Sequence, residues 1–408
     1  MCLDLKKGEL FTMSKYFKCF TNKNAIWYSV GEEIIFNVYA IEDGNNVECK
    51  RAKWSLEGDD GQRYSGEASI GIDKPLEVKY ILNKAGFVHL ICTAIDDNGE
   101  AIEGFDQLNS SVGANVLDLE YSDSIPEDFD EYWDEIEELV ANTEINIVHY
   151  EEKPADFHPG YKVYQVMIET PIGRPASGCI TIPDGGEKYP LKMSFLGYGI
   201  HAAYYEYDKT KITATFNAHG FENSKNDEEL AKAYGKELSM YGFNNEENAS
   251  NKTTYFRNMM IRNLIALKYA KTIPEWNGKD IISTGGSQGA LQSVTLAAHD
   301  KDVTEVVAYK PWFCDLKSNT VGYLNGWRPE FAEGLRYFDT VAQVSRIKCP
   351  IRIQCYLGDY VCPPKTVMAL FNTAKVKKRI EFFQSATHSY FPPDCNKDIP
   401  EYIWEENV

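Results

Sequence analysis

A serine hydroxyl set among glycines is the first chemistry the chain offers. Gly285-Gly286-Ser287-Gln288-Gly289 fits the pattern G-x-S-x-G, with the apolar Ile281-Ile282 before it and a helix-forming stretch after it. Between a strand and a helix this pattern describes a nucleophile elbow, whose glycines permit a tight, strained turn that lifts Ser287 Oγ to the carboxyl edge of a sheet. Outside that context the same residues make a glycine-rich turn capped by a serine. An unassisted serine is a weak nucleophile, so a general base must take its proton. Only His299 and His388 follow Ser287 in the chain. His299 falls in the last turn of the helix that the elbow opens, where capping is the expected role. His388 lies in the loop Ser385-Ala386-Thr387-His388-Ser389 after the run Ile380-Glu381-Phe382-Phe383, where such a base belongs. Asp359 closes the run from Ile351 to Gly358 and would orient the histidine and stabilise its cation. Its other reading is a turn-forming aspartate, and Asp315 and Asp339 compete from the stretch ahead of it. The expected catalytic set is Ser287, Asp359 and His388. Two backbone donors must meet the developing oxyanion: the amide of Gln288 and one from Phe195-Leu196-Gly197-Tyr198-Gly199, with Tyr198 the candidate. The glycines of that loop could equally make a plain turn.

These groups need a scaffold that brings distant segments to one sheet edge. Strand patterns run from Val163 to Glu169, Gly178 to Ile182, Leu191 to Leu196, Ile212 to Phe216, Asp280 to Thr284, Val303 to Tyr309, Ile351 to Leu357 and Arg379 to Phe383. Helical patterns from Thr253 to Ala270 and from Gln288 to His299 interrupt them, which implies a mostly parallel sheet covered on both faces. The order is that of an α/β-hydrolase, here residues 119–408 with a lid insertion at about 311–345. A helix with apolar Phe129, Trp133, Ile136 and Val140 opens this domain. In residues 1–118, short strands such as Glu33 to Tyr39, Leu76 to Tyr80 and Gly86 to Ala94 alternate with turns such as Asp96-Asp97-Asn98-Gly99. That pattern predicts an antiparallel β-sandwich of immunoglobulin-like type. A chain starting near Leu119 is expected to fold and keep the catalytic set.

Composition narrows the partners. The 408 residues carry 42 Lys and Arg against 61 Asp and Glu, a net charge of −19, which disfavours nucleic acid and anionic membranes. Ten cysteines show no metal-type pairing, so buried thiols, no metal and no cofactor are expected. Cys362 is read as one of these thiols rather than as a second nucleophile. Met1-Cys2-Leu3-Asp4-Leu5-Lys6-Lys7 lacks the form of a signal peptide, and no run approaches the ~18 apolar residues of a membrane span, so a cytoplasmic protein is expected.

The elbow, the segment Gly358-Asp359-Tyr360-Val361-Cys362-Pro363-Pro364, the stretch Tyr255-Phe256-Arg257 through Leu267 and the approach Pro126-Glu127-Asp128-Phe129 to Trp133 together resemble the acetyl xylan esterase and cephalosporin C deacetylase family. The resemblance covers about residues 120–400. It implies a metal-free serine esterase that deacetylates small acetylated sugars or related esters, with the roles already given to Ser287, Asp359, His388, Tyr198 and Gln288. An oligosaccharide substrate and a homo-oligomer are open under the same resemblance. The sequence departs from the family pattern at Asn217-Ala218-His219-Gly220, where Arg-Gly-Gln is usual, at His388-Ser389, where His-Glu is usual, and at Leu196, where a histidine is usual. These changes bear on the pocket and its supports. His219, Trp312 and Tyr204 are pocket candidates, as are His201 and Trp327; for the two histidines the alternative is a structural histidine hydrogen-bonded to a loop, and for the aromatics it is packing. The alternative functions are an esterase for another small acyl group, or a non-catalytic glycan-binding protein on a hydrolase scaffold.

Overall fold

The computed structural model of the chain describes residues 15–407. The segment from Met1 to Lys7, considered above for a signal peptide, lies outside them. By its internal contacts the chain divides into two units. One comprises the residues up to Val116 together with Tyr356–Asp359 and Phe383–Glu401; the other comprises Leu117–Cys355, Tyr360–Phe382 and the residues from Tyr402 on.

The leading residues build two sheets. Lys15–Thr21, Glu33–Glu42, Asn45–Val47, Leu76–Ile81 and Phe105–Asp106 form one; Cys49–Gly58, Arg63–Ile70, Gly86–Ala94 and Leu108–Ala114 form the other. Neighbours pair antiparallel, apart from the short parallel contact of Lys15–Thr21 with Phe105–Asp106. Alternation decides which side chains go inward: along Glu33–Glu42, Ile34, Phe36, Val38 and Ala40 are buried while their neighbours are more exposed. Thr-, Val- and aromatic-rich runs suit this pleated, half-buried setting.

The second unit is organised on a ten-stranded sheet in the order Ile147–Glu152, Tyr161–Ile168, Ala176–Pro183, Ile212–Phe216, Tyr189–Phe195, Trp276–Gly286, Glu305–Tyr309, Ile351–Tyr356, Lys378–Phe383 and Tyr402–Glu406. Its centre is parallel, from Ile212–Phe216 through Ile351–Tyr356. The first four strands pair antiparallel with one another, and Tyr402–Glu406 runs antiparallel to Lys378–Phe383. The sheet is therefore mixed, not mostly parallel. The physical reason is connection length: residues 169–175 join Tyr161–Ile168 to Ala176–Pro183, too few for the crossover helix that a parallel neighbour needs. Ile147–Glu152 and Tyr402–Glu406 carry too little apolar alternation to stand out in the sequence; the first is almost wholly exposed.

Helix Tyr255–Ala270 packs on Tyr161–Ile168, Ala176–Pro183 and Ile212–Phe216, and helix Gln288–His299 packs on Tyr189–Phe195, Trp276–Gly286 and Glu305–Tyr309. Both are buried over most of their length, so their apolar residues are not confined to one stripe. Helix Phe129–Asn142 is amphipathic and buries Phe129, Trp133, Ile136 and Val140. Residues 311–345, expected as a lid, contain two 3₁₀ turns and the short helix Thr340–Val344, with Trp312, Phe313, Cys314 and Leu316 buried. Among the described residues every cysteine but Cys395 is buried. No helix there is long and apolar enough to cross a membrane.

Candidate active site

Ser287 stands between the end of strand Trp276–Gly286 and the first turn of helix Gln288–His299, at φ 56° and ψ −120°. A non-glycine residue rarely adopts that conformation, and here the surroundings fix it. The Ser287 N–H donates to the Tyr309 carbonyl at 2.9 Å, and the Trp312 N–H donates to the Ser287 carbonyl at 3.2 Å. The flanking glycines are needed for close approach. A Cβ on Gly285 would lie 2.5 Å from the Gly289 backbone carbon, and one on Gly289 would lie 2.3 Å from the Phe195 carbonyl oxygen. That second contact brings the end of strand Tyr189–Phe195, and with it the loop Leu196 to Gly199, beside the helix start.

Neither the Tyr198 nor the Gln288 N–H has an acceptor among the described residues. For Gln288 this follows from helix geometry, since the first turn of a helix has unsatisfied N–H groups directed outward. Tyr198 is held in place by its side chain. Its hydroxyl donates to the Tyr241 carbonyl at 2.9 Å and its ring stacks on that of Tyr241 at 4.2 Å. The Tyr241 hydroxyl accepts from the Gly199 N–H at 3.1 Å and donates to Gln288 Oε1 at 2.9 Å. One phenol thus ties the loop to the residue after the serine. Tyr241 was not singled out in the sequence, because it sits far from both partners along the chain and no motif marks it.

His219 completes the support. It is fully buried, its Nε2 lies 2.8 Å from the Gly199 carbonyl and its Nδ1 lies 2.6 Å from the Tyr255 hydroxyl. Burial pulls its pKa down to about 4, so the ring is neutral. Its N–H can then donate to Gly199, which makes it a strut of the loop.

Trp312 is also buried, with its indole N–H on the Trp327 carbonyl at 2.6 Å and its backbone bracing Ser287. Tyr204 is exposed at 45%, and Trp327, whose ring meets Tyr198 edge-on at 4.7 Å, at 38%. His201 pairs with Asp227 at 2.7 Å near the surface.

Asp359 and His388 meet in the other unit. Asp359, almost fully buried, accepts from His388 Nδ1 at 2.8 Å. The loops that carry them are joined by the Gly358 N–H to the Ala386 carbonyl at 3.0 Å and by the Leu357 N–H to the Phe383 carbonyl at 2.9 Å. Leading residues hold the same loops: Tyr390 donates to Asp106 at 2.8 Å, Lys18 pairs with Asp394 at 2.5 Å, and a Cβ on Gly358 would lie 2.3 Å from the Asn109 carbonyl oxygen. The expected competitors are engaged elsewhere. Asp315 is ion-paired with the buried Lys365, and Asp339 caps Thr340–Val344 through the Val341 N–H. His299 is buried between Glu137, at 2.9 Å from Nδ1, and Gln343, at 2.6 Å from Nε2.

The model of the acetyl xylan esterase (AXE1) family matches residues 117–323 and 328–405. The chain belongs to that family. It is a carboxylic ester hydrolase. The acetyl esterase Axe7A of Xylanibacter ruminicola is 28% identical over 306 residues, 68% of this chain and 67% of that protein. The acetyl xylan esterase from Paenibacillus sp. R4 superposes with a TM-score of 0.57 at 18% identity, over 68% of this chain and 94% of the other. That of Thermoanaerobacterium sp. JW/SL YS485 gives 0.54 at 19%, over 68% and 93%. These likenesses identify the fold of the second unit as an α/β-hydrolase.

Proposed function

We propose that the protein is a serine esterase that removes acetyl groups from small acetylated carbohydrates, xylose-based oligosaccharides among them. The observation that carries the reading is the strained Ser287 elbow flanked by two backbone N–H groups, of Tyr198 and Gln288, without an internal acceptor. Donors fixed before the reaction stabilise an oxyanion without reorganisation, which is where such sites gain most of their rate.

In this mechanism Ser287 Oγ attacks the acetyl carbonyl carbon as His388 Nε2 takes the hydroxyl proton. The carbonyl oxygen, now negative, is met by the two amides. Collapse expels the sugar oxygen, which takes the proton from His388, and leaves acetyl on Ser287. Water then gives a proton to His388 and its oxygen to the acetyl carbon, and acetate leaves as Ser287 regains its proton. Asp359, bonded to Nδ1, orients the ring throughout. The substrate class rests on family membership and on the names of the relatives. We read the two leading sheets as an immunoglobulin-like sandwich, from the alternating burial along Glu33–Glu42 and Leu76–Ile81.

A fluorophosphonate probe should modify the protein stoichiometrically at Ser287, and Ser287→Ala should take no label and release no acetate from acetylated xylo-oligosaccharides. Label at another residue, or acetate release by the variant at more than a tenth of the parent rate, would overturn the reading.

A further inference from the structure

Arg262 is a buried cation without an anion. It sits in helix Tyr255–Ala270 and is 4% exposed. Its Nη2 donates to the Ala218 carbonyl at 2.6 Å and its guanidinium lies over the Tyr255 ring at 5.8 Å. Its Nε has no acceptor, and no carboxylate pairs with it among the described residues. A second cation, Arg174, also acts on it unfavourably and itself pairs with the exposed Glu237. Burying a charge with only neutral partners is costly, a cost that a bound anion would reduce. Burial, and to a lesser degree Arg174, holds the Arg262 pKa below its usual value, an effect that an incoming anion would offset.

Arg262 lines a cavity of about 440 Å³ with Arg174, Asn244, Asn258, Tyr241 and Tyr255. The volume lies in the range of small-molecule sites. Two guanidiniums, two amides and two aromatic rings can recognise a planar, charged oxygen pair on a small polar body. The cavity also carries Glu237 and Glu247. They disfavour highly charged anions such as phosphates, which leaves a single carboxylate as the better fit. The bidentate match of guanidinium and carboxylate gives the geometry.

We propose that this cavity binds a small molecule through a carboxylate held by Arg262. The site is separate from Ser287 and does not depend on the hydrolytic reading, yet two of its walls reach the same loop: Tyr241 bonds the Gly199 N–H, and Tyr255 bonds His219, which bonds the Gly199 carbonyl.

Calorimetric titration of the full chain tests it, with glucuronate as a sugar acid, acetate as a free carboxylate, and glucose and sulfate as controls. Glucuronate or acetate should bind, and whichever binds tighter identifies the source. Arg262→Gln should weaken that binding by about 10- to 100-fold, the effect of losing a charged hydrogen-bond partner. Asn258→Phe, at a half-buried position, should block the cavity with Arg262 retained, and it decides the question should Arg262→Gln not fold. Ser287→Ala should bind as the parent does. The proposal fails if neither carboxylate gives heat up to about 10 mM, if only sulfate binds, if glucose binds as well as glucuronate, or if Asn258→Phe leaves the affinity unchanged. Loss of binding in Ser287→Ala would place the probe at the esterase centre and also overturn it.

Discussion

At the scale of single residues, the elbow depends on side chains that never touch the reacting atoms. Tyr241 is the clearest case, since its one hydroxyl serves both the Gly199 N–H and the Gln288 side chain. Tyr241→Phe keeps the stacked ring but removes the acceptor of the part-buried Gly199 N–H, so the loop carrying the Tyr198 amide should drift from its position. The expected result is a fall in kcat of about tenfold or more with KM little changed, read on a small activated acetate ester. His219 makes a different prediction, in stability. Its folded pKa of about 4 lies below the ordinary 6.5, so the unfolded chain binds the proton first as pH falls. Its contribution is whole above pH 6.5 and is lost progressively toward pH 4. The melting temperature of the parent should therefore fall more steeply than that of His219→Asn between those limits, and the two should run parallel above pH 7. Buried His89 and His299 are common to both chains and cancel in the comparison.

At the scale of elements, the turn from strand Trp276–Gly286 into helix Gln288–His299 works only because two backbones come unusually close. Gly289 lets the helix start lie against the end of strand Tyr189–Phe195, and the obstacle to any larger residue is backbone, which cannot rotate away. Gly289→Ala must push the helix off the strand. It should cost roughly 1–3 kcal/mol in denaturant unfolding and should reduce esterase activity far more than that loss of stability explains. An alanine variant with parent kcat would show that the helix start and the loop move freely. The same closeness explains why Gln288 is buried with its side chain turned to Tyr241 while its N–H stays available.

At the scale of the whole molecule, the leading residues hold the loops that carry the proposed acid and base. Asp106, Asn109 and Lys18 contact the loops that carry Asp359 and His388, and those loops group with the leading strands. The expectation that a chain starting near Leu119 keeps its full catalytic set is thus revised. A chain starting at Leu117 should lose at least about tenfold in kcat, since the part-buried hydrogen bond of Tyr390 to Asp106 and the backbone packed against Gly358 would be lost from these loops. Tyr390→Phe in the full chain should reproduce part of that loss. Parent activity in the truncated chain would show that Asp359 and His388 are positioned without the leading strands.

Local pattern made the elbow, the central strands and helix Gln288–His299 legible in the sequence, because glycine spacing, a buried apolar run and helical periodicity each act over a few residues. Chain order and position at the ends of strand-like runs brought out Asp359 and His388, and the hydrogen bond between them required the fold to bring two loops together. What only the tertiary structure decided lies at long separation. The antiparallel flanks of the sheet follow from hairpin connections and partner strands, which a weakly alternating run such as Ile147–Glu152 does not announce. Tyr241 and Arg262, unmarked in the sequence, and His219, marked there as a pocket candidate, acquire their roles from burial, since folding removes the water around a phenol, a guanidinium or an imidazole and leaves it only the partners that packing supplies.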